Sequence, residues 1–413
     1  MQALIGFPLL LLLCWAVSEN RRAIPWRTVL GGLGLQWGLA VILLYAPPAR
    51  GAILLLNHGM DALQAATDAG TSFVFGYLGG SALPFVETHP GASFVLAFKI
   101  LPLVLVISAL SALLLYWGLL QRITAAFAWL LSRTLGVGGA LSLGAAVHIF
   151  VGMIEAPLLI RPYLAGMQRG EMFALMTCGM AGVAGTVMAL YASFLHAVIP
   201  DALGTILVAS VISTPAALAV AALMVPFGAA PERAAFDPGH RPVSALDALT
   251  RGTADGIGPL VGILSTLLVT VAVVSLINAG LGALPWPGIT LQAVFAQLFR
   301  PVVWLIGIPW EQSGTAAALM GTKTVLNELV AYLQLSNLPE GALTAHARLI
   351  MTFALCGFAN FGSLGILVGG MGAMVPARRS EIVALGMRSI LSGTVATCLS
   401  GAVAGLLTGG GWF

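Results

Sequence analysis

LSLGAAVHIFVGMIEAPLLIRPYL, residues 141–164, and LIGIPWEQSGTAAALMGTKTVLNELVAYLQL, residues 305–335, are short apolar segments that each carry an acid within, Glu155 and Glu328. An ionisable group near the membrane midplane costs at least ~2.5 kcal/mol on insertion scales, so each acid is a candidate for function. Each follows a long span plus an amphipathic stretch, and each precedes two further spans. Glycine-rich strings follow the acids by 23 and 28 residues: Cys178-Gly179-Met180-Ala181-Gly182-Val183-Ala184-Gly185 and Cys356-Gly357-Phe358-Ala359-Asn360-Phe361-Gly362-Ser363. Glycine lowers helix propensity by ~1 kcal/mol per residue, so the helices open at these strings. Bare backbone at membrane depth is tolerated only beside a cavity. The pattern predicts an inverted repeat in which two re-entrant hairpins face two interrupted helices. Glycines also permit close helix packing, which is the competing use of each one taken singly.

The surrounding chain is that of an integral membrane protein. Its 413 residues are 59% hydrophobic and 8% charged, with a mean hydropathy of +0.99. Apolar runs of ~20 residues recur along its length, which predicts an all-α membrane protein with about eight spanning helices plus the two hairpins. Soluble enzymes, nucleic-acid binders and disulfide scaffolds are excluded. Cys14, Cys178, Cys356 and Cys398 lie singly in apolar stretches and read as packing residues, so no metal is expected. No HExxH, GxSxG or paired-cysteine signature occurs. GTKTVLNE around Lys323 lacks the GxxxxGK spacing and the strand of a phosphate loop.

Basic residues orient the chain. Thirteen of the eighteen fall at 21, 22 and 27, at 122, 133, 161 and 169, at 233, 241 and 251, and at 378, 379 and 388. The positive-inside rule places these clusters in the cytoplasm and the N-terminus outside it. Positions 3–17 lack the flanks of a signal peptide and read as a retained first span. Spans are expected near 3–18, 27–46, 92–119, 172–197, 203–226, 255–281, 345–372 and 382–409, with a half-polar stretch at 50–80 on the outer surface. The organisation predicted is a scaffold region at 1–119 with that outer amphipathic segment, and a first repeat at 120–226. The first repeat holds hairpin 1 at about 135–164 and an interrupted helix at about 172–197. A cytoplasmic loop and scaffold helix follow at 227–281. The second repeat, 282–413, holds hairpin 2 at about 305–335 and an interrupted helix at about 345–372.

The strongest motifs are EAPLLIRPYL at 155–164, GIPWEQSG followed by GTKTVLNELVAY within 307–332, and ALCGFANFGSLGI at 354–366. NRRAIPWRTV at 20–29 and RRSEI at 378–382 flank them. Together they resemble the concentrative nucleoside transporter family over essentially the whole chain. The resemblance implies a homotrimer in the lipid bilayer of the bacterial inner membrane, with a transport domain moving against a fixed scaffold. It also implies nucleoside uptake driven by a cation gradient.

Residue by residue, Glu328, Asn360 and Ser363 match the family's ribose contacts and Phe358 its aromatic wall. Val187 matches an apolar contact opposite them. A carboxylate accepts from two sugar hydroxyls, while an amide and a hydroxyl offer donors and acceptors. The base-recognising positions depart: Met153-Ile154-Glu155 stands where the family typically has Gln-Thr-Glu. The sodium site departs further, with His148 for an Asn, Gly182 for a Ser, and Leu141-Ser142 for an upstream Glu-Ser. Chiefly the backbone carbonyls of Val151 and Val183 remain for a hard cation that prefers oxygen. Histidine titrates near pH 6.5, so a proton at His148 or Glu155 is expected to replace sodium as the coupling ion. The expected function is a nucleoside:cation symporter working by alternating access, without enzymatic activity or cofactor. An uncoupled facilitator, a carrier of another nucleoside-like solute or nucleobase, and a substrate-sensing receptor are the alternatives.

Overall fold

Proline and small polar residues punctuate the chain into helices. A computed structural model describes residues 2–88, 93–196, 198–199, 201–228, 242–283 and 289–409. Among them there is no strand. The helices run α1 (Gln2–Ala16), α2 (Trp26–Tyr45), α3 (Pro47–Phe75), α4 (Leu96–Lys99), α5 (Leu103–Tyr116), α6 (Leu119–Leu135), α7 (Gly139–Val147), α8 (Glu155–Leu159), α9 (Arg161–Leu164) and α10 (Arg169–Ala181). They continue as α11 (Gly185–Leu195), α12 (Ala202–Met224), α13 (Ala245–Gly282), α14 (Leu291–Leu305), α15 (Trp310–Val325), α16 (Glu328–Ser336), α17 (Ala345–Leu355), α18 (Phe361–Met374) and α19 (Arg379–Thr408).

Local chemistry sets these ends. Pro47 and Pro48 open α3, where their missing N–H groups cost nothing. Gly136 closes α6 at φ +68°, and a Cβ there would crowd the Arg27 side chain. Ser244, Thr290, Asn327, Thr344 and Asn360 cap α13, α14, α16, α17 and α18 through side-chain oxygens that accept from the first turn. A reciprocal pair, Gln168 and Glu171, opens α10.

Six helical stretches among the described residues are long and apolar enough to cross a membrane: Trp26–Tyr45, Leu96–Tyr116, Arg169–Leu195, Ala202–Met224, Ala245–Gly282 and Pro376–Thr408. The expected span near 3–18 is not a long helix, and 345–372, expected as an interrupted helix, is two helices. The first is the 15-residue α1, and the other is divided into α17 and α18 by the break at 356–360. The stretch expected at 50–80 forms the 29-residue α3, much of which is exposed. The loop that holds Arg233 and Arg241 lies outside the described residues.

α10, α12 and α19 form the centre and are almost wholly buried, whereas the 38-residue α13 is largely exposed. In lipid the hydrophobic effect does not drive helices together, so close approach and interhelical hydrogen bonds must. Both are present. Gly393 on α19 lies against the Met180 backbone on α10, where a Cβ would meet Met180 C at 3.0 Å. Thr177 and Ser392 share a hydrogen bond of 2.8 Å, as do Ser213 and Ser400, and Gln36 donates to the Ser400 hydroxyl at 3.1 Å.

Basic residues from separate parts of the chain gather at one end. Glu19, between α1 and α2, accepts from Arg169 at 2.9 Å and from Arg388 at 2.6 Å. Arg378 pairs with Glu381 at 2.7 Å and donates to the Leu164 and Met167 carbonyls, closing the chain between α9 and α10. Arg27 donates to the Arg133 carbonyl at 3.2 Å. The Arg169 hydrogen bond holds the Glu19 carboxyl below its ordinary value. A depressed carboxylate contributes stability above the unfolded value of 4.5, and that stability is lost as pH falls through the folded one. Glu19→Gln should therefore lower the melting temperature of detergent-solubilised protein at pH 7 by the few degrees that ~1 kcal/mol implies. The difference from wild type should shrink below pH 4.5 and vanish once pH has fallen through the depressed folded value. A difference that persists there would mean Glu19 acts by packing.

Candidate functional site

Two interrupted helices cross at the centre, and their breaks are bonded together. α10 ends at Ala181 and α11 begins at Gly185, while α17 ends at Leu355 and α18 begins at Phe361. The Phe358 N–H in the second break donates to the Gly182 carbonyl in the first at 3.2 Å. Gly357 lies against the Met180 carbonyl so closely that a Cβ would stand 2.8 Å from it. Two hairpins enclose these breaks. In the first, α7 leads through 148–154 into α8 and α9, and in the second α15 turns at Leu326 and Asn327 into α16.

Glu328 is the first residue of α16 and only 4% exposed. Its Oε1 accepts from the Tyr191 hydroxyl of α11 at 2.6 Å and its Oε2 from Asn360 Nδ2 at 2.8 Å. Asn360 Oδ1 in turn accepts from the Ser363 N–H at 2.7 Å, so one amide caps α18 and holds the carboxylate. Ser363 is buried and Phe358 half-buried beside them. A charge taken out of water is tolerable only when paired or well hydrogen-bonded, and these donors meet that requirement. The structure thus brings Glu328, Asn360 and Ser363 together. Tyr191 was not legible in the sequence. It sits one turn after Val187 on α11, and positions i and i+4 share a helix face.

The first hairpin differs from its expectation. Glu155 is exposed at the start of α8. Its carboxylate folds back over Gly152, where a Cβ would collide with it, so the glycine is what admits this conformation. Spacing placed it as deep as Glu328, but a short helix start that curls over a glycine leaves the carboxylate accessible. Met153 is buried, with its Cβ 3.4 Å from the Cβ position of Gly179 on α10. Ile154 fills the notch left by Gly370 on α18.

His148 is 4% exposed at the end of α7. Its Nδ1 lies 2.8 Å from the Gly144 carbonyl, which can only accept, so Nδ1 carries the hydrogen. Nε2 is buried without a partner, 3.1 Å from where a Gly179 Cβ would stand. No hydrogen bond or ion pair joins His148 to Glu155 among the described residues. A second unpartnered buried atom, Ser210 Oγ of α12, stands 3.4 Å from a Cβ built on Gly182, and the His148 carbonyl is 3.8 Å from it. Val151 is half-buried and Val183 fully buried at the same place. Lys323, fully buried, donates to the Ala354 carbonyl at 2.8 Å and to Thr397 Oγ1 at 3.2 Å, tying hairpin 2 to the end of α17. A cavity of about 510 Å³ lies elsewhere, between α3, α4 and the α11–α12 connection, lined in part by His58, Asp61, Asp68, Lys99 and His196.

Three family models match in order: the Na+ dependent nucleoside transporter N-terminus at residues 5–78, Nucleoside recognition at 97–198, and the Na+ dependent nucleoside transporter C-terminus at 205–405. The chain belongs to the concentrative nucleoside transporter family. It is 34% identical to the nucleoside permease NupC of Helicobacter pylori, covering 98% of this chain and 97% of that one. Sodium/nucleoside cotransporter 1 of Rattus norvegicus is also 34% identical, over 97% of this chain, which spans 63% of the rat protein. The fold matches CNTnw, solved in an inward-facing substrate-bound state, with a TM-score of 0.89, 35% identity and 98% of both chains covered. An outward-facing state of a CNTnw variant matches equally well, with a TM-score of 0.89. These relatives of the concentrative nucleoside transporter family are transporters, not enzymes.

Proposed function

We propose that this protein imports nucleosides across the bacterial inner membrane by alternating access, holding the sugar at Glu328, Asn360 and Ser363 and coupling transport to protons through His148. The buried carboxylate held by donors from two helices carries the substrate reading, since it retains lone pairs for sugar hydroxyls. Val187 and Phe358 supply apolar walls, and Met153, Ile154 and Glu155 face the base in this reading. The functional unit is a homotrimer with its N-terminus outside the cytoplasm. The first repeat spans 120–226 and the second 282–413, about a scaffold at 1–119 and 227–281.

The unpartnered Nε2 supports the coupling reading. It is the acceptor of a neutral ring, and protonation turns it into a donor beside Gly179 on α10. Ser210 Oγ favours a second reading, sodium coupling, because it offers one oxygen at the same break and the matching family models are named for sodium dependence. Proteoliposomes separate these. Counterflow should exchange labelled for unlabelled nucleoside, and inward accumulation should follow an imposed pH gradient and ignore a sodium gradient. Sodium stimulation would establish the second reading, and chemical change of the substrate would refute transport.

Met153 reads no base edge, being a flexible apolar side chain against α10. The double change Met153→Gln and Ile154→Thr should sharpen preference among bases by roughly tenfold, the worth of one hydrogen bond left unmade. Competition of unlabelled pyrimidine and purine nucleosides against uptake measures this. Unchanged ratios would mean the base is read elsewhere.

A further inference from the structure

Glu328 has a partner from the opposite repeat that neither the sequence motifs nor the family resemblance assigns. Tyr191 is 2% exposed on α11, and its hydroxyl donates to Glu328 Oε1 at 2.6 Å. Its ring lies 5.1 Å from that of Tyr332, which is one turn beyond Glu328 on α16. The Tyr332 hydroxyl donates to the Thr352 carbonyl of α17 at 2.8 Å. The tyrosine pair thus forms a buried seam from α11 through α16 to α17, and neither ring has room to swing while the seam is packed. Tyr191 also follows Val187 by one helical turn, on the face of α11 that looks toward Glu328.

From this we infer that Tyr191 is a positioning residue for sugar recognition: it fixes the plane of the Glu328 carboxylate so that the lone pairs left free by Tyr191 and Asn360 meet the two vicinal hydroxyls of a ribose. The inference rests on the proposed sugar site. A carboxylate has about four acceptor positions. Asn360 occupies one on Oε2 and Tyr191 one on Oε1, so these side chains saturate neither oxygen, and the two oxygens together match the spacing of a vicinal diol. Without Tyr191 the carboxylate is pinned at Oε2 alone and turns about its last torsion, which is a broad one. A diol would then lose its two-point fit, while a sugar with a single hydroxyl there would lose little. Tyr191 therefore sets the preference for ribosides over deoxyribosides, and it does so from the first repeat.

The test is inhibition of nucleoside uptake by a ribonucleoside and by its 2′-deoxy and 3′-deoxy analogues, in proteoliposomes of the full-length wild type, Tyr191→Phe and Glu328→Gln. Tyr191→Phe keeps the ring stack and removes only the hydroxyl. It should weaken the ribonucleoside about tenfold or more, as loss of a hydrogen bond to a charged group does. It should weaken the deoxy analogues far less, so their affinity ratio falls toward one, and the melting temperature without substrate should stay within a few degrees of wild type. Equal weakening of all three ligands, or no weakening, overturns the inference. If Glu328→Gln leaves the ribonucleoside unaffected, the sugar site itself is misplaced, and the inference falls with it. If Glu328→Gln abolishes discrimination while Tyr191→Phe preserves it, the sugar site stands and only the role of Tyr191 is refuted.

Discussion

Glu328→Gln is expected to reduce ribonucleoside affinity by about 100-fold or more while leaving the protein folded. The carboxylate accepts from Asn360 Nδ2, which can only donate, and from the Tyr191 hydroxyl, which can donate or accept. A glutamine of the same shape keeps both contacts with its oxygen toward Asn360 and its NH2 group toward Tyr191, whose hydroxyl then turns to accept. Two effects then add for the substrate. The charge that strengthens each sugar hydrogen bond is gone, at ~1.5–3 kcal/mol per bond, and one of the two acceptor atoms has become a donor. Protein stability should change little, because both contacts survive and removing a buried charge removes its desolvation cost. Equilibrium binding of labelled nucleoside to purified protein, beside thermal unfolding without ligand, separates the two. Binding unaffected by the substitution would refute Glu328 as the sugar carboxylate.

Much of the geometry around Glu328 was legible because it depends on local chemistry. A helix must stop where glycines cluster, and both glycine-rich strings contain the breaks seen at 182–184 and 356–360. Asn360 was legible as a site candidate, and its amide both caps α18 and donates to the Glu328 carboxylate. Tyr191 could not be found this way. It lies inside an unbroken apolar helix, its partner is 137 residues away, and nothing in the flanking residues marks which face meets hairpin 2. Glu155 shows the converse limit. Its spacing in the repeat matches that of Glu328, yet depth depends on the path of the chain between helices, and there α8 starts with the carboxylate folded over Gly152. Short elements are also poorly marked by hydropathy. α1 has the composition of a span but only 15 residues, about 22 Å of helix at 1.5 Å per residue.

Exchange of two residues is expected to change which gradient drives uptake. A gradient of one pH unit stores ~1.4 kcal/mol per proton, enough for about tenfold accumulation at one proton per nucleoside. Wild type should approach that limit, and His148→Asn should equilibrate without accumulating, because asparagine does not titrate. The double variant His148→Asn with Gly182→Ser should then respond to sodium. An amide oxygen and a hydroxyl would join Ser210 Oγ at the first break, giving a hard cation the oxygen donors it prefers. Space permits the serine: a Cβ on Gly182 meets nothing nearer than Ser210 Oγ at 3.4 Å, which is ordinary contact, and its backbone is extended. The asparagine keeps a group able to donate to the Gly144 carbonyl in place of Nδ1, so the end of α7 retains its bond. Accumulation is read as the ratio of internal to external labelled nucleoside under each gradient, with ionophore controls. A wild type that accumulates under sodium alone would overturn proton coupling, and a double variant indifferent to sodium would show that the first break does not hold the coupling ion.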